Sequence, residues 1–495
     1  MQASEAEGSS TRYLVRAFRM QHLLVLLLLL ALAVRTFSNA LPGQTAATLI
    51  PPIDASTASR AAWPAPPPFV PGTPQFGLNT HLMWDGPTRA AVDLDRIAAA
   101  GQTVVRFDVQ WDGFEPTEQG GWNEAFLARL DQTLDLVGQR GLHPILVVVG
   151  TPAWARSGIG SRFTPPDRIE DFADAVGYMA ARYADRPAIA YEIWNEPNQA
   201  DFWDTDAGPD PILYAQMLEA SYASIKAAAP QAIVLGGSIA FNDRDYFEQM
   251  YQQGDVGKSF DALALHPYSL GHAPEQVADQ IHSFALAVES MSAVMAAHGE
   301  PNKPIWITEM GWSTRLVGES VRADYYRRAV ELIHRWPQVA VACVYQLRQD
   351  QDLPEFGLIT ESGSPTDSWA AFVQAAAAPA VPGQPRGALD SPAENAVVHG
   401  TLTVSGWALD EGAPTAAGID RVHVVLSGTD MGDAEIGQQR RDIASAYGLR
   451  FETSGFRYVL DLSRAAPGPH TVEVRAHSTV SGLEMAYVRA ITVAP

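Results

Sequence analysis

The sequence contains little cysteine and few positive charges. Cys343 is the only cysteine in 495 residues, which excludes an intramolecular disulfide and a zinc site built on several thiolates. Its apolar surroundings, 339–344, predict a small buried side chain rather than a reactive thiol. The chain has 34 lysines and arginines against 56 aspartates and glutamates, and its net charge is −22. This balance argues against binding to nucleic acid or to an anionic lipid surface.

Clusters with metal-ligand spacing and glycine-rich phosphate loops are also missing, so neither a metal nor a cofactor is expected. Apolar residues, in contrast, are plentiful. They make up 47% of the chain and charged residues 18%, which excludes disorder over most of its length. The length suits one large domain and a smaller one.

A short apolar segment stands near the N-terminus. Three arginines precede twelve unbroken apolar residues, 23–34. Twelve suits the core of a signal peptide and falls short of the ~20 residues that usually cross a bilayer. Small residues at 38 and 40 suit a cleavage site. We therefore predict that residues 1–40 are a signal peptide and that the protein is secreted. A membrane anchor through 23–34 is the alternative.

Two stretches rich in proline and alanine divide the rest of the chain. Residues 41–75 also contain many threonines and are predicted to form an extended, semi-rigid stalk. Residues 378–386 form a second such stretch, which we interpret as a linker. The two folded domains are therefore expected at 76–377 and 387–495.

The larger domain belongs to the α/β class, because short β-branched runs alternate with amphipathic helical stretches. The predicted strands are 76–80, 103–107, 144–149, 189–194, 232–235, 262–265, 305–308 and 339–344. Helical spacing of apolar residues is found at 89–100, 125–140, 169–182, 214–229 and 274–297. Eight such units of about 38 residues each suit a (β/α)8 (TIM) barrel. A doubly wound sheet is disfavoured, because no glycine-rich loop follows the first strand.

Two glutamates stand at the ends of strands in this predicted barrel. Glu196 follows the fourth strand in Trp194-Asn-Glu-Pro-Asn198, and Glu309 ends the seventh strand in Ile307-Thr-Glu-Met-Gly311. These strands lie nearly opposite each other, so both carboxyl groups can face one molecule bound at the mouth. Like charges raise the pKa of one carboxyl group, which provides the acid and the ionised partner that glycoside hydrolysis needs. Arg106, on the second strand, can hold Glu309 ionised.

These motifs resemble those of the retaining glycoside hydrolases built on (β/α)8 barrels, with families 39 and 5 the nearest. The resemblance covers residues 76–377. It implies that Glu309 is the nucleophile and Glu196 the general acid and base. It also implies that Asn195 hydrogen-bonds the sugar 2-hydroxyl and that Arg106 positions Glu309.

Further substrate-binding residues are expected around this pair. His266 and Tyr268 resemble the His-x-Tyr motif of these families, which implies hydrogen bonds near the nucleophile or the sugar ring. Trp154 also resembles a family residue and is expected to form the wall of a subsite. Trp312 follows the seventh strand and is a second aromatic candidate. Many clan members have a tryptophan at the end of strand eight, where this chain has Tyr345 as a narrower platform.

Two more carboxylates lie on the predicted strands. Asp108, two residues after Arg106, can face the mouth and contact substrate. Glu192 stands four residues before Glu196, which places it too deep to reach the same sugar.

The C-terminal domain, 387–495, shows short runs that alternate at period two, with turn residues between them. The predicted strands are 401–408, 421–426, 456–462 and 471–476. This pattern predicts an antiparallel β-sandwich of immunoglobulin-like size. We interpret it as a spacer or stabilising domain, with carbohydrate binding through Trp407 as the alternative.

The sequence therefore predicts an O-glycosyl hydrolase that cleaves a β-linked polysaccharide or oligosaccharide by a retaining, double-displacement mechanism. Such a mechanism predicts carboxyl groups ~5–5.5 Å apart. The alternatives are a non-catalytic glycan-binding protein of the cell surface and a transglycosidase.

Overall fold

The computed structural model describes residues 73–495, except for 158–159, 187–188, 255, 278, 379–384 and 414–415. The predicted signal peptide, 1–40, and most of the predicted stalk and linker lie outside the described residues. Within the described part of the chain, no helix is both long and apolar enough to span a membrane.

Eight parallel strands close into a barrel, which confirms the predicted (β/α)8 architecture. Each strand pairs with the next, and the last returns to pair with the first. The strands are β1 (Gln75–Asn79), β2 (Val104–Gln110), β3 (His143–Val149), β4 (Ala190–Ile193), β5 (Ile233–Ala240), β6 (Ala262–His266), β7 (Ile305–Met310) and β8 (Val339–Val344).

Helices follow the strands and cover the outside of the barrel. They are α1 (Pro87–Ala99), α2 (Trp111–Phe114), α3 (Glu124–Gly138), α4 (Ile169–Arg182), α5 (Pro211–Ala228), α6 (Arg244–Met250), α7 (Phe284–Ala297), α8 (Thr314–Val317), α9 (Glu319–Ile333) and α10 (Asp367–Ala377). The predicted helix 274–297 begins only at Phe284. Before that point the Asp279 carboxylate accepts the backbone N–H groups of Ile281 and His282, which stabilises a turn instead of a helix.

The barrel interior changes from apolar to polar along the strands. Because side chains alternate between the two faces of a strand, every second residue points inward. The lower interior is an apolar cluster that includes Val104, Ile145, Ala190, Leu235, Ala264 and the buried Cys343. The polar side chains that lie further along the strands, above this cluster, include Arg106, Glu192, His266 and Thr308. The buried charged side chains Arg106 and Glu192 therefore lie toward the C-terminal end of the barrel.

Two sheets form the C-terminal domain, which confirms the predicted β-sandwich architecture. The elements are β9 (Pro385–Ser391), β10 (Ala396–Val398), β11 (Thr401–Asp410), β12 (Ile419–Leu426), β13 (Thr429–Asp433), β14 (Glu435–Gln438), α11 (Arg441–Tyr447), β15 (Gly455–Asp461), β16 (Gly468–Ser478) and β17 (Glu484–Val493). One sheet has the strand order β10-β17-β16-β12-β13 and the other β14-β15-β11-β9. The strand pairs are antiparallel, apart from the parallel pair of β10 with β17. The immunoglobulin-like character stays a prediction.

The two domains meet through a largely buried ion pair. Arg450 of the sandwich bonds Glu289 on α7, and the two side chains are only 9% and 5% exposed. The same guanidinium donates to the carbonyl oxygens of Ala413 and Glu411. In the sandwich, Trp407 is half-buried against Tyr447, with ring centroids 5.3 Å apart.

A second arginine stabilises the loop that follows β8. Arg322 on α9 is 1% exposed. It donates to the carbonyl oxygens of Glu355 and Gly357 at 2.8 and 3.1 Å and to Ser368 Oγ at 2.9 Å, and it pairs with Glu319 at 2.6 Å. The loop is thereby tied to the helix layer.

We expect Arg322→Met to lower the free energy of unfolding by roughly 3–5 kcal/mol, because it leaves buried polar groups without their donor. Arg327→Met is the matched control on α9. Its guanidinium is 49% exposed and pairs with Asp324 and Glu331, so a change below about 1 kcal/mol is expected. Urea unfolding followed by circular dichroism measures both, and equal midpoints for the two variants would contradict this account.

Candidate active site

A buried arginine lies at the centre of the polar layer. Arg106 is 2% exposed, and all five of its N–H groups donate hydrogen bonds. Two go to Glu192, from Nε at 2.7 Å and from Nη2 at 3.2 Å. The other acceptors are Glu309 Oε1 at 2.5 Å, Asn79 Oδ1 at 2.7 Å and Asn195 Oδ1 at 2.8 Å. Residues from β1, β4 and β7 therefore converge on one cation.

Glu192 is the fully buried counterion of this arginine. It is 0% exposed and also accepts hydrogen bonds from Ser238 Oγ at 2.5 Å and Thr308 Oγ1 at 2.9 Å. Burial alone would raise the pKa of Glu192, but the charge of Arg106, with hydrogen bonds from His266 and Arg106, lowers it to about 2. Glu192 is thus ionised and has no access to a ligand.

Glu309 stands at the edge of the same network. Arg106 donates to one of its oxygens, and the Tyr268 hydroxyl donates to the other at 2.7 Å. Its side chain remains 10% exposed, so it reaches the opening of the barrel. The carboxylate is held from two sides beside a permanent positive charge.

The loop after β4 brings Glu196 over the mouth. Trp194 and Glu196 have φ angles of +67° and +44°, a left-handed conformation that costs non-glycine residues of order 1–3 kcal/mol. Asn198 holds this conformation, since its side-chain oxygen accepts the backbone N–H of Ala240 and its amide donates to the Ala240 carbonyl, both at 3.0 Å. The Glu196 side chain is 15% exposed.

His266 connects Glu196 to the buried network. Its Nδ1 lies 2.9 Å from Glu196 Oε1, and its Nε2 lies 3.0 Å from Thr308 Oγ1. The Thr308 hydroxyl donates to Glu192, so it accepts from His266 Nε2–H. The tautomer with a free Nδ1 can then accept the proton of a neutral Glu196 carboxyl group.

The two groups share a proton at neutral pH. Burial raises the pKa of Glu196, helped by the charge of Glu309 and opposed by the hydrogen bond and the charge of His266. Burial would lower the pKa of His266, but the charge of Glu309 and hydrogen bonds with Glu192 and Glu196 raise it to about 9. A carboxylate beside an imidazolium and a carboxylic acid beside a neutral imidazole contain the same number of protons. The pair therefore keeps a transferable proton beside the mouth.

The two exposed carboxyl groups converge. One oxygen each of Glu196 and Glu309 and one nitrogen of His266 lie within 4.8 Å of one another. A metal ion at this point would compete with Tyr268 and would be repelled by Arg106, which already bond the Glu309 oxygens. The arrangement instead allows a proton donor, Glu196, and a carboxylate, Glu309, to contact the same bound molecule.

Trp312 does not lie where the sequence places it. It is 1% exposed, and its indole N–H donates to Ser269 Oγ at 3.0 Å and the His272 carbonyl at 2.9 Å. A bulge in β7 lets both Thr308 and Glu309 point inward, and the alternation then resumes in the opposite phase. Trp312 consequently packs in the layer between barrel and helices, which corrects its expected role in substrate binding.

The other aromatic candidates lie around the mouth. Trp154 follows β3, is half-buried against Trp111 and donates to the Glu115 carbonyl at 2.8 Å. Tyr345 directly follows β8, where burial and the charge of Glu309 raise the pKa of its hydroxyl. Subsite roles for these two residues stay predictions. His266 is 0% exposed, so it contacts Glu196 and not a sugar ring.

Asn79, Ser238 and Thr308 belong to the site, although no prediction from the sequence included them. A signal for them exists in the alternation of the strands, because a polar residue on the inward face must find a partner inside the barrel. Glu192 carries the same signal, as an inward carboxylate two residues after Ala190.

Comparisons with known proteins agree with this geometry. The chain matches the model of the family described as Cellulase (glycosyl hydrolase family 5) over residues 68–338. A family 39 glycoside hydrolase from Bacteroides cellulosilyticus WH2 is 17% identical with a TM-score of 0.51, and the match covers 79% of this chain and 80% of that one. GH5_18 from Streptomyces cattleya, solved with GlcNAc, is 19% identical with a TM-score of 0.52, covering 66% and 84%. At these identities the two structures show a shared fold. No curated protein matches the sequence.

We expect the stability difference between the wild type and Glu192→Gln to depend on pH. The folded pKa of Glu192, about 2, lies below its ordinary value of 4.5, so its ionisation stabilises the fold at neutral pH and that contribution is lost as the pH falls toward 2. The deficit of the variant, measured by urea unfolding, should therefore shrink by about 2 kcal/mol between pH 6 and pH 3. Glu331→Gln, at an exposed pair, is the control. A deficit that is constant with pH would contradict the ionised, arginine-bound Glu192.

Proposed function

Since the chain belongs to glycosyl hydrolase family 5, we propose that it cleaves a β-linked glycan with retention of anomeric configuration, using Glu309 as nucleophile and Glu196 as acid and base. The family membership makes the protein a glycosyl hydrolase. The assignment of the two glutamates rests on the geometry of the mouth.

The observation that carries this proposal is the short separation of the two carboxyl groups. Their nearest oxygens lie within 4.8 Å. Retaining enzymes keep their carboxyl groups ~5–5.5 Å apart, whereas inverting enzymes need ~6.5–9.5 Å to place a water molecule between carboxylate and sugar. Oxygens this close favour the shorter of the two separations and support a covalent intermediate.

The surroundings of each glutamate support its assigned role. Glu309 faces the mouth beside Arg106 and Tyr268, whose hydrogen bonds orient its oxygens for attack. Glu196 shares a proton with His266 and is the group that can give one away. Asn195 accepts from Arg106 through its oxygen, so its amide N–H groups are left to donate to the sugar 2-hydroxyl.

The reaction proceeds in two displacements. A Glu309 oxygen attacks the anomeric carbon as the glycosidic bond breaks, and the leaving oxygen takes the proton of Glu196. A glycosyl ester on Glu309 and an ionised Glu196 result. Glu196 then takes a proton from water, whose oxygen attacks the anomeric carbon and releases Glu309. Both residues return to their starting states, and the configuration is inverted twice.

We expect Glu309→Gln to lower kcat by ~10⁴-fold or more on every substrate, because the amide cannot form the ester. Glu196→Gln should lower kcat/KM by ~10²–10⁴-fold on β-1,4-linked gluco- and manno-oligosaccharides, but leave it nearly unchanged on 2,4-dinitrophenyl β-glycosides, whose leaving group needs no proton. Reducing-end and dinitrophenolate assays measure these rates.

Glu331→Gln, on the outer face of α9, is the control and should retain wild-type rates. Equal losses of Glu196→Gln on both substrate types would contradict its role as acid. A wild-type protein that releases neither new reducing ends nor dinitrophenolate would favour a non-catalytic glycan-binding protein.

A second expectation concerns the product. Retention requires that hydrolysis of a β-glycoside first yields the β-anomer of the sugar, which proton nuclear magnetic resonance detects before the anomers equilibrate. The α-anomer as first product would refute the double displacement. Sugar transferred to an added alcohol or saccharide rather than to water would show the transglycosidase alternative.

A further inference from the structure

A set of polar side chains lies above Arg106 on one side of the mouth. Asn79 of β1 pairs in register with Arg106 of β2, and both side chains point into the barrel, where they hydrogen-bond each other. The Thr80 N–H donates to the Arg106 carbonyl at 2.9 Å, which continues the pairing past the end of β1. Two residues further along each strand, side chains return to the same face. His81 and Asp108 therefore stand side by side, one level nearer the opening.

His81 is held in a defined orientation. Its Nε2 lies 2.6 Å from Gln346 Oε1 and 3.2 Å from Asp350 Oδ2. Asp350 is itself fixed, because it accepts the Gln346 amide at 2.8 Å and the Leu353 backbone N–H at 2.7 Å. Among the residues that the structure describes, His81 Nδ1 has no hydrogen-bond partner. Burial would lower the pKa of His81, but the hydrogen bond with Asp350 and the charges of Asp108 and Asp350 raise it to about 9. At neutral pH the ring is therefore an imidazolium, and its Nδ1–H is a fixed donor for a ligand.

Asp108 offers an acceptor beside this edge. It is half-buried, and its carboxyl group forms no hydrogen bond with any residue of the described chain. Burial raises its pKa, while the charges of Arg106 and His81 oppose this effect. A carboxyl group that has lost part of its hydration without gaining a donor is costly for the fold, and a ligand hydroxyl recovers that cost.

The position of this pair relative to the two glutamates identifies the part of the substrate that it meets. Glu196 projects from the β4 side and protonates the leaving oxygen, so the leaving group lies on that side. The sugar attacked by Glu309 then extends away from β4, toward the wall formed by the ends of β8, β1 and β2, of which β8 stands opposite β4 in the closed barrel. His81 and Asp108 belong to that wall.

We propose that Asp108 and His81 bind hydroxyl groups of the glycone sugar remote from its anomeric carbon and thereby determine which sugar is accepted. The inference rests on the proposed function. Asp108 accepts a hydrogen bond from one hydroxyl, and His81 Nδ1–H donates to its neighbour. A site built to hydrogen-bond a hydroxyl rejects a sugar that lacks the group, because the protein's own polar atoms are then left unpaired.

The test pairs a protein variant with deoxy sugars. The parent probe is a 2,4-dinitrophenyl β-glycoside of a single sugar or of a β-1,4-linked disaccharide. Among the gluco, manno, galacto and xylo configurations, we use the one that the wild type cleaves fastest. Its deoxy analogues at the remote positions are compared in wild type and Asp108→Ala. At least one deoxy change should lower the wild-type kcat/KM by ~10–100-fold and lower that of Asp108→Ala by less than about 3-fold.

Two further variants separate binding from a structural effect. Asp95→Ala, at an exposed position on α1, should keep the wild-type deoxy profile. His81→Gln should flatten the profile at a different hydroxyl from the one that Asp108→Ala flattens. A merely structural role would lower all rates in proportion and leave the profile unchanged.

The outcomes distinguish this inference from the function on which it rests. Deoxy effects of the same size in wild type and Asp108→Ala would overturn the inference while the hydrolase assignment stands. A wild-type protein that cleaves none of the parent glycosides would count against the proposed function itself.

Discussion

A guanidinium group inside a barrel must be neutralised there, because little water reaches it. Arg106 meets this requirement with every N–H group that it has. Glu192 supplies the fully buried counter-charge, and Glu309 adds a second carboxylate at the edge of the opening. The two acids differ in exposure but share one cation. Charge balance in the interior therefore dictates the position of the carboxylate that faces a ligand.

The loop after β4 shows how local strain serves this arrangement. A left-handed backbone at Trp194 and Glu196 is unfavourable on its own, yet the Asn198 side chain and the Ala240 backbone hold it in place. The hydrogen bonds between the Asn198 side chain and Ala240, at the end of β5, offset this conformational cost. Glu196 can thus project over the mouth while the strand beneath it keeps its register.

Much of the architecture could be predicted from the sequence, because alternating strand and helix patterns extend over the whole barrel. Glu196 and Glu309 were predictable from the sequence for the same reason, since both stand at strand ends. The position of Trp312 was not, because a bulge that changes the phase of β7 depends on pairing with β8. Likewise, the depth of His266 follows from its partners in the loop after β4 and on β7 and has no local signal. Secretion through residues 1–40 stays a prediction.

The contact between Arg450 and Glu289 means that the two domains are not independent pieces. Each side chain is shielded from solvent by the other domain's surface, so dissection of the chain would expose a carboxylate on α7 and a cation on the sandwich at the same time. A truncated barrel would then differ from the intact protein on its outer face, in solubility as well as in stability. The sandwich therefore covers part of the barrel surface and supplies the positive charge that pairs with Glu289.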